Sequence, residues 1–217
     1  MSEAINTVHG ILHDPHQPLD AILAPHDHEA VESALPTAIR PYPRQYVQLW
    51  TMKDGAKVTI RPIRLEDEPL MARFHETLSD RSVYYRYFHL IKLSQRVTHD
   101  RLMHICFVDY IHEMALVVDY ENPTTKEHEI HGVGRLIKHR ELNEAEFAVI
   151  VSDQWQKRGL GSELLRRLLQ VGRDWKLARI TADILPDNID MQRVCKKLGF
   201  QIEFDRGERL MKACIDL

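Results

Sequence analysis

From Gln45 onward, apolar and polar positions recur with two periods, and the switches between them mark out the elements. Tyr46 to Thr51 and Lys57 to Arg64 alternate as strands, with Lys53-Asp54-Gly55 as hairpin chemistry between them. Leu70, Met71, Phe74 and Leu78 then recur at helical spacing behind Glu66-Asp67-Glu68-Pro69, an acidic first turn with an early proline. Ser82 to Phe88 continues as a second helix. Thr98 is placed as the N-cap of a third, carrying Leu102, Ile105 and Cys106. Three strands follow over Met114–Tyr120, Glu129–Lys138 and Glu144–Val151, parted by Asn122-Pro123 and Leu142-Asn143. Gly161 to Lys176 is strongly helical, with Leu164, Leu165, Leu168 and Val171 on one face. A strand (Arg179–Leu185), a helix (Asp190–Leu198) and two strands (Phe200–Phe204, Arg209–Ile215) end the chain. This order predicts a mixed α+β sheet rather than a doubly wound one.

Residues 1–44 follow neither period. They hold six of the ten prolines and five of the thirteen histidines, and read as an extension or linker before a domain over residues 45–217. His13, His16, His26, Asp27 and His28 match no closed zinc spacing, so no metal site is assigned. Composition narrows the class further. The 217 residues are 44% hydrophobic and 28% charged, with a formal net charge of −3, which speaks against a broad nucleic-acid surface. No apolar run approaches a membrane span, and Met1 to His13 lacks the plan of a secretory signal. Three widely spaced cysteines, Cys106, Cys195 and Cys214, fit reduced thiols. The expectation is a cytoplasmic protein with no nucleic-acid or membrane partner.

One junction concentrates candidate chemistry. The strand ending Val149-Ile150-Val151 runs through Ser152–Trp155 into Gln156-Lys157-Arg158-Gly159-Leu160-Gly161-Ser162 and then a helix. Unpaired backbone N–H groups at the positive end of a helix dipole form a phosphate site. Gly159 and Gly161 remove side chains that would hold a pyrophosphate off, and Lys157 and Arg158 add charge. The segment is neither a Walker loop nor a complete dinucleotide fingerprint, and such turns also arise for steric reasons.

Gln156-Lys157-Arg158-Gly159-Leu160-Gly161 resembles the Gln/Arg-x-x-Gly-x-Gly/Ala signature of the GNAT N-acetyltransferases. Asn188, ahead of Lys197-Leu198-Gly199-Phe200, stands where that family has an asparagine. Val58 to Arg64, Asp67 to Leu70, Ser82-Val83-Tyr84, Arg86-Tyr87-Phe88 and Asp109-Tyr110 with Glu113 to Leu116 resemble the acetyltransferase domain of Pat-type bacterial protein lysine acetyltransferases. Residues 1–40, with Leu12 to Pro15, look like the tail of the acyl-CoA synthetase-like region that often precedes it. The resemblance thus implies an acetyltransferase without its ligase-like or cyclic-nucleotide-sensing partner.

That likeness implies a GNAT fold with a splayed, mostly antiparallel sheet and acetyl-CoA as co-substrate. Its diphosphate would rest on the Arg158 to Ser162 amides, its pantetheine arm along Val149–Val151, and Asn188 would face the arm across the splay. The bland role of Asn188 is a helix N-cap, and the two are compatible. A lysine amine, with a pKa near ~10.4, must lose a proton to attack a thioester. Strand alternation sets Glu144, Glu146, Ala148 and Ile150 on one face. Glu146 matches the catalytic glutamate of the Pat type, against the alternative of an exposed strand carboxylate; Glu144 is second choice, and Glu113 reads as structural. A strand amide near Val149 suits a developing oxyanion. Where many GNAT enzymes have a tyrosine acid this chain has Cys195, read as a core thiol first. Tyr84, Tyr85, Tyr87 and Phe88 read as core and groove lining, and Arg135, Lys138, His139 and Arg140 as a solvated strand end. The reaction implied is acetyl transfer to protein lysines, with acyl-CoA synthetases among the partners. A small-amine acetyltransferase and a non-catalytic acyl-CoA sensor are the alternatives, and oligomeric state is left open.

Overall fold

Strand alternation and helical periodicity meet in one eight-stranded sheet covered on both faces. The computed structural model describes residues 41–139 and 141–217; the segment 1–40 with its histidine cluster, and Arg140, lie outside the described residues. The strands are β1 (Gln48–Thr51), β2 (Lys57–Pro62), β3 (Glu113–Glu121), β4 (His128–Lys138), β5 (Glu144–Val151), β6 (Arg179–Ile184), β7 (Gln201–Asp205) and β8 (Leu210–Asp216). Their spatial order is β1-β2-β3-β4-β5-β6-β8-β7. Every neighbouring pair is antiparallel except β5 and β6.

The helices are α1 (Glu68–Glu76), α2 (Asp80–Tyr87), α3 (Leu93–Arg96), α4 (His99–Cys106), α5 (Leu160–Asp174) and α6 (Ile189–Lys197). The parallel β5–β6 pair needs a crossover, and α5 supplies it. Its stripe of Leu164, Leu165, Leu168 and Val171 is fully buried with Leu160, Phe147, Ile180 and Cys195. Each buried leucine contributes about 2 kcal/mol. The opposite face packs Ile63, Met71, Phe74, Val83 and Leu102, from α1, α2, α4 and the β2–α1 link, on Val117, Val133 and Ile150. Gly132 and Gly134 on β4 let α5 lie close: a Cβ on either would stand 3.2 Å from Leu164 or Leu168.

Two differences from expectation have local causes. The first strand begins at Gln48, because Arg44–Tyr46 winds into a 3-10 turn. The four-residue α3 shows no period, being barely one turn long.

Candidate active site

The sheet parts at one place, and the register locates it. β5 pairs with β4 along its whole length, from Ala145 to Val151. Its pairing with β6 stops after Glu144, Ala145 and Glu146, so the last shared position is Glu146 opposite Thr181. Beyond that vertex the β6-facing edge of β5 has no neighbouring strand. The bonds Ser152 N–H to the His131 carbonyl (3.0 Å) and His139 N–H to the Glu144 carbonyl (2.9 Å) fix which groups turn that way. Antiparallel alternation then aims the Ile150 backbone at β4, and those of Val149 and Val151 into the gap. The Val151 carbonyl is taken by the Gln156 side chain at 3.0 Å, which also donates to Ser82 Oγ. Val149 keeps an N–H and a carbonyl for an extended ligand.

The gap opens onto the start of α5. Lys157 (φ 60°) and Gly159 (φ 97°) both adopt left-handed backbone, which turns the chain sharply into the helix. The first bonded donor is Glu163 N–H, to the Gly159 carbonyl at 3.0 Å, so the N–H groups of Leu160, Gly161 and Ser162 point outward ahead of it. A Cβ at Gly161 would meet no protein atom within 4 Å, whereas one at Gly159 would be strained by its φ. The dipole and these N–H groups suit a diphosphate.

A cleft of about 480 Å³ joins the two features. Val149, Ile150, Val151, Gln156, Lys157, Gly159, Gly161, Ser162 and Asn188 line it. Leu160 does not: its side chain is core, leaving only its N–H to the site. Arg158 turns away, bonding Asp54 through Nε at 2.7 Å and lying over Trp155 at 4.2 Å. Asn188 caps α6, accepting from Met191 N–H at 3.2 Å, and its side chain still borders the cleft. The sequence did not point to Lys53 or Arg193, nor to Arg81, Ser82 and Arg86 of the α2 wall, though it read Tyr85 of that wall as groove lining. The polar spacing of α2 was the available signal. Tyr85 reaches across the gap, its hydroxyl 3.2 Å from the Asp187 carbonyl. Lys53, Arg81, Arg86, Lys157 and Arg193 outnumber Asp153 and Asp190 in the lining, and Asp153 is held by Ser79 and Ser82. The cleft is therefore cationic.

Glu146 stands at the vertex of the splay and is not part of the cleft lining. Its side chain is open to solvent, yet desolvation of the carboxyl raises its pKa above the ordinary value. Asp183 pushes the same way, and His139, Arg86 and Lys212 oppose. Glu144 is engaged with Arg179 at 3.5 Å, and Glu113 pairs with Arg135. Cys195 is fully buried in the core with its thiol pushed up to about 12 by burial, and it does not line the cleft. Arg135 is a correction: α4 covers it, its guanidinium bonds the Ile105 carbonyl, and its side chain is only 15% exposed. Tyr84 and Phe88 are exposed, while Tyr85 lines the groove. Among the described residues no cluster of side chains suits a metal, and no helix is long and apolar enough to cross a membrane.

Comparison with known proteins matches this geometry. An acetyltransferase of Pseudomonas aeruginosa is 31% identical over 151 residues, covering 69% of this chain and 78% of that protein. The solved GNAT domain of S. lividans PAT superposes with a TM-score of 0.71 at 25% identity, over 82% of this chain and all of that one. RimJ of Mycobacterium smegmatis, solved with a CoA disulfide, shares the fold at 17% identity, with a TM-score of 0.60 over 79% of this chain and 86% of its own. The family model of the GNAT acetyltransferase domain matches residues 57–201, two-thirds of the sequence, and the chain belongs to that family.

Proposed function

We propose that the protein transfers acetyl from acetyl-CoA to the ε-amine of lysines on protein substrates, with Glu146 as general base. The observation that carries this reading is the parted β5–β6 edge, which leaves Val149 N–H and carbonyl unpaired beside the outward N–H groups of α5. A pantetheine arm bonds there as an added strand would. The Leu160, Gly161 and Ser162 N–H groups take the diphosphate, and Lys53, Lys157 and Arg193 supply countercharge. The likeness to the GNAT domain of S. lividans PAT supports a protein acceptor.

The residues divide the work as follows. Glu146, at the vertex, takes a proton from the incoming ammonium directly or through one water. The neutral amine attacks the thioester carbon, the C–N bond forms, the C–S bond breaks with the thiolate leaving, and the surplus proton on the new amide nitrogen passes through water to that thiolate. Val149 N–H donates to the carbonyl oxygen as it gains charge. With Cys195 buried, the thiolate departs without a proton from that thiol. The raised pKa of Glu146 makes it a stronger base than an ordinary glutamate once ionised.

The test compares CoA release from acetyl-CoA with an acyl-CoA synthetase and with a panel of small amines at equal concentration. Faster release with the protein, matched by acetyl on a single active-site lysine, is the expected result. Release with small amines alone would discard the protein acceptor and keep the cleft.

A further inference from the structure

A second pocket, of about 200 Å³, lies between the sheet and the α1–α4 layer. Its apolar walls are Met71 and Phe74 of α1, Ile105 of α4, and Val133 and Ile150 of the sheet. Set among them are three arginines from three elements, Arg86 of α2, Arg101 of α4 and Arg135 of β4, with no carboxylate in the lining. Glu113 pairs with Arg135 from outside the pocket. Neither Arg86 nor Arg101 makes an ion pair with any described carboxylate; each lies against the Tyr87 ring, at 5.0 and 5.2 Å. Arg101 Nε is buried without a hydrogen-bond partner.

Both arginines are partly exposed, yet Arg101 Nε is shut off from water and neither guanidinium has a counter-ion, so their like charges, crowded beside Arg135, repel without compensation. The same molecule shows the compensated alternative at Arg61, so the omission here is local. The neighbouring His75 is buried and neutral, its pKa pushed down to about 4 by burial, with Arg96, Arg101 and Arg86 adding to the fall. Burial, with Arg135 and Arg101 near, lowers the pKa of Arg86 too, while Tyr87 and Glu146 oppose. All of this describes a pocket short of negative charge.

The pocket's position gives that shortage a use. Arg86 and Ile150 line both it and the large cleft, and Ile150 adjoins Val149, whose N–H faces the gap. We propose that the pocket is a carboxylate subsite, in which Arg86 and Arg101 hold a carboxylate carried on a short carbon stem by one of the two substrates. A guanidinium fork matches the two coplanar oxygens of a carboxylate. The apolar walls suit the stem, and a fully polar phosphate would leave them unfilled. The carboxylate comes either from the far end of the acyl group, as in a dicarboxylic acyl-CoA, or from the acceptor, beside the amine. The subsite deepens the acyl-transfer reading and rests on it for what lies in the large cleft.

Two arms separate the sources. In the donor arm, acetyl-CoA and succinyl-CoA are titrated directly into the protein, a readout that needs no turnover. In the acceptor arm, peptides carrying glutamate or glutamine beside the lysine, and an amino acid against its carboxamide, are compared for kcat/KM. The wild type is expected to favour the charged member about fivefold or more in one arm, as one charged hydrogen-bonded contact does. Arg101→Gln is expected to bring that preference below about fivefold, with the melting temperature measured alongside, and Arg86→Gln is the second variant. A preference below that level in both arms of the wild type, or one that survives both variants, overturns the subsite. Failure of every lysine peptide while the amino acid reacts overturns only the lysine acceptor.

Discussion

Two sets of arginines, one buried and answered by carboxylates, the other partly exposed and unanswered, divide the molecule into framework and proposed site. Arg61 on β2 is 6% exposed and holds Asp67 through two bonds of 2.7 Å, and Asp119 at 2.8 Å. That set ties β2, β3 and the turn before α1 together, and every charge in it has its opposite. Arg86 and Arg101 sit in the same helical layer with aromatic contact and no anion. A fold can carry charge either way, but only the first arrangement satisfies it without a ligand or solvent. The difference teaches where to look for chemistry: at the pocket-lining charge the fold leaves unanswered.

The largest effect should come from breaking the answered set. Arg61→Leu strands two buried aspartates and should cost about 3–5 kcal/mol of stability in denaturant titration. Arg101→Gln, by contrast, removes a repelled charge and should leave stability equal or higher. Equal losses from both would erase the distinction.

Next in size is the response to acid. His75 and His131 are both buried, with pKa values pushed down from 6.5 to about 4, by burial first and then by nearby arginines. The unfolded chain then binds protons that the folded one refuses. Stability from the neutral rings is complete above the unfolded value and is lost as pH falls from 6.5 toward about 4. Each ring accounts for up to about 3 kcal/mol. Unfolding curves at pH 7.5 and pH 5 should differ accordingly, and His75→Asn should shrink the difference. A flat profile would mean that both rings, His75 in the arginine-lined pocket and His131 against Trp155, take up a proton in the folded state as readily as in the unfolded one.

A smaller, purely functional effect sharpens the contrast from the other side. Gly161→Val places its side chain in open space at the start of α5, so the fold should not notice it. Affinity for acetyl-CoA should fall by roughly 100-fold in calorimetry, as the helix N–H groups are screened. A matching loss of melting temperature would make Gly161 a packing residue instead.

The sequence carried most of this fold because its elements are long enough to show a period. β5 reads as Glu144–Val151 from alternation alone, and α5 from its leucine stripe. The sharp turn from Gln156 to Ser162 into α5, with its outward N–H groups, was legible because glycine and helix start are adjacent in the chain. What escaped was assembled from distant segments. Arg81, Ser82 and Arg86 on the cleft wall and the pocket of Arg86, Arg101 and Arg135 depend on which elements stack, and the parting of β5 from β6 was expected only through the family resemblance. No local pattern encodes that. Arg135 illustrates the point, since nothing near it in sequence announces that α4 will cover it.

Glu146 offers the most direct test of the account. Its raised pKa places the acidic limb of kcat/KM above the ordinary glutamate range, because the base acts only when ionised. The decisive measurement is that pH profile for wild type and Glu146→Gln, with acetyl-CoA affinity determined on both. The account predicts a fall in kcat of roughly 100-fold or more, loss of the acidic limb, and unchanged affinity. An unchanged rate and profile in Glu146→Gln would contradict it.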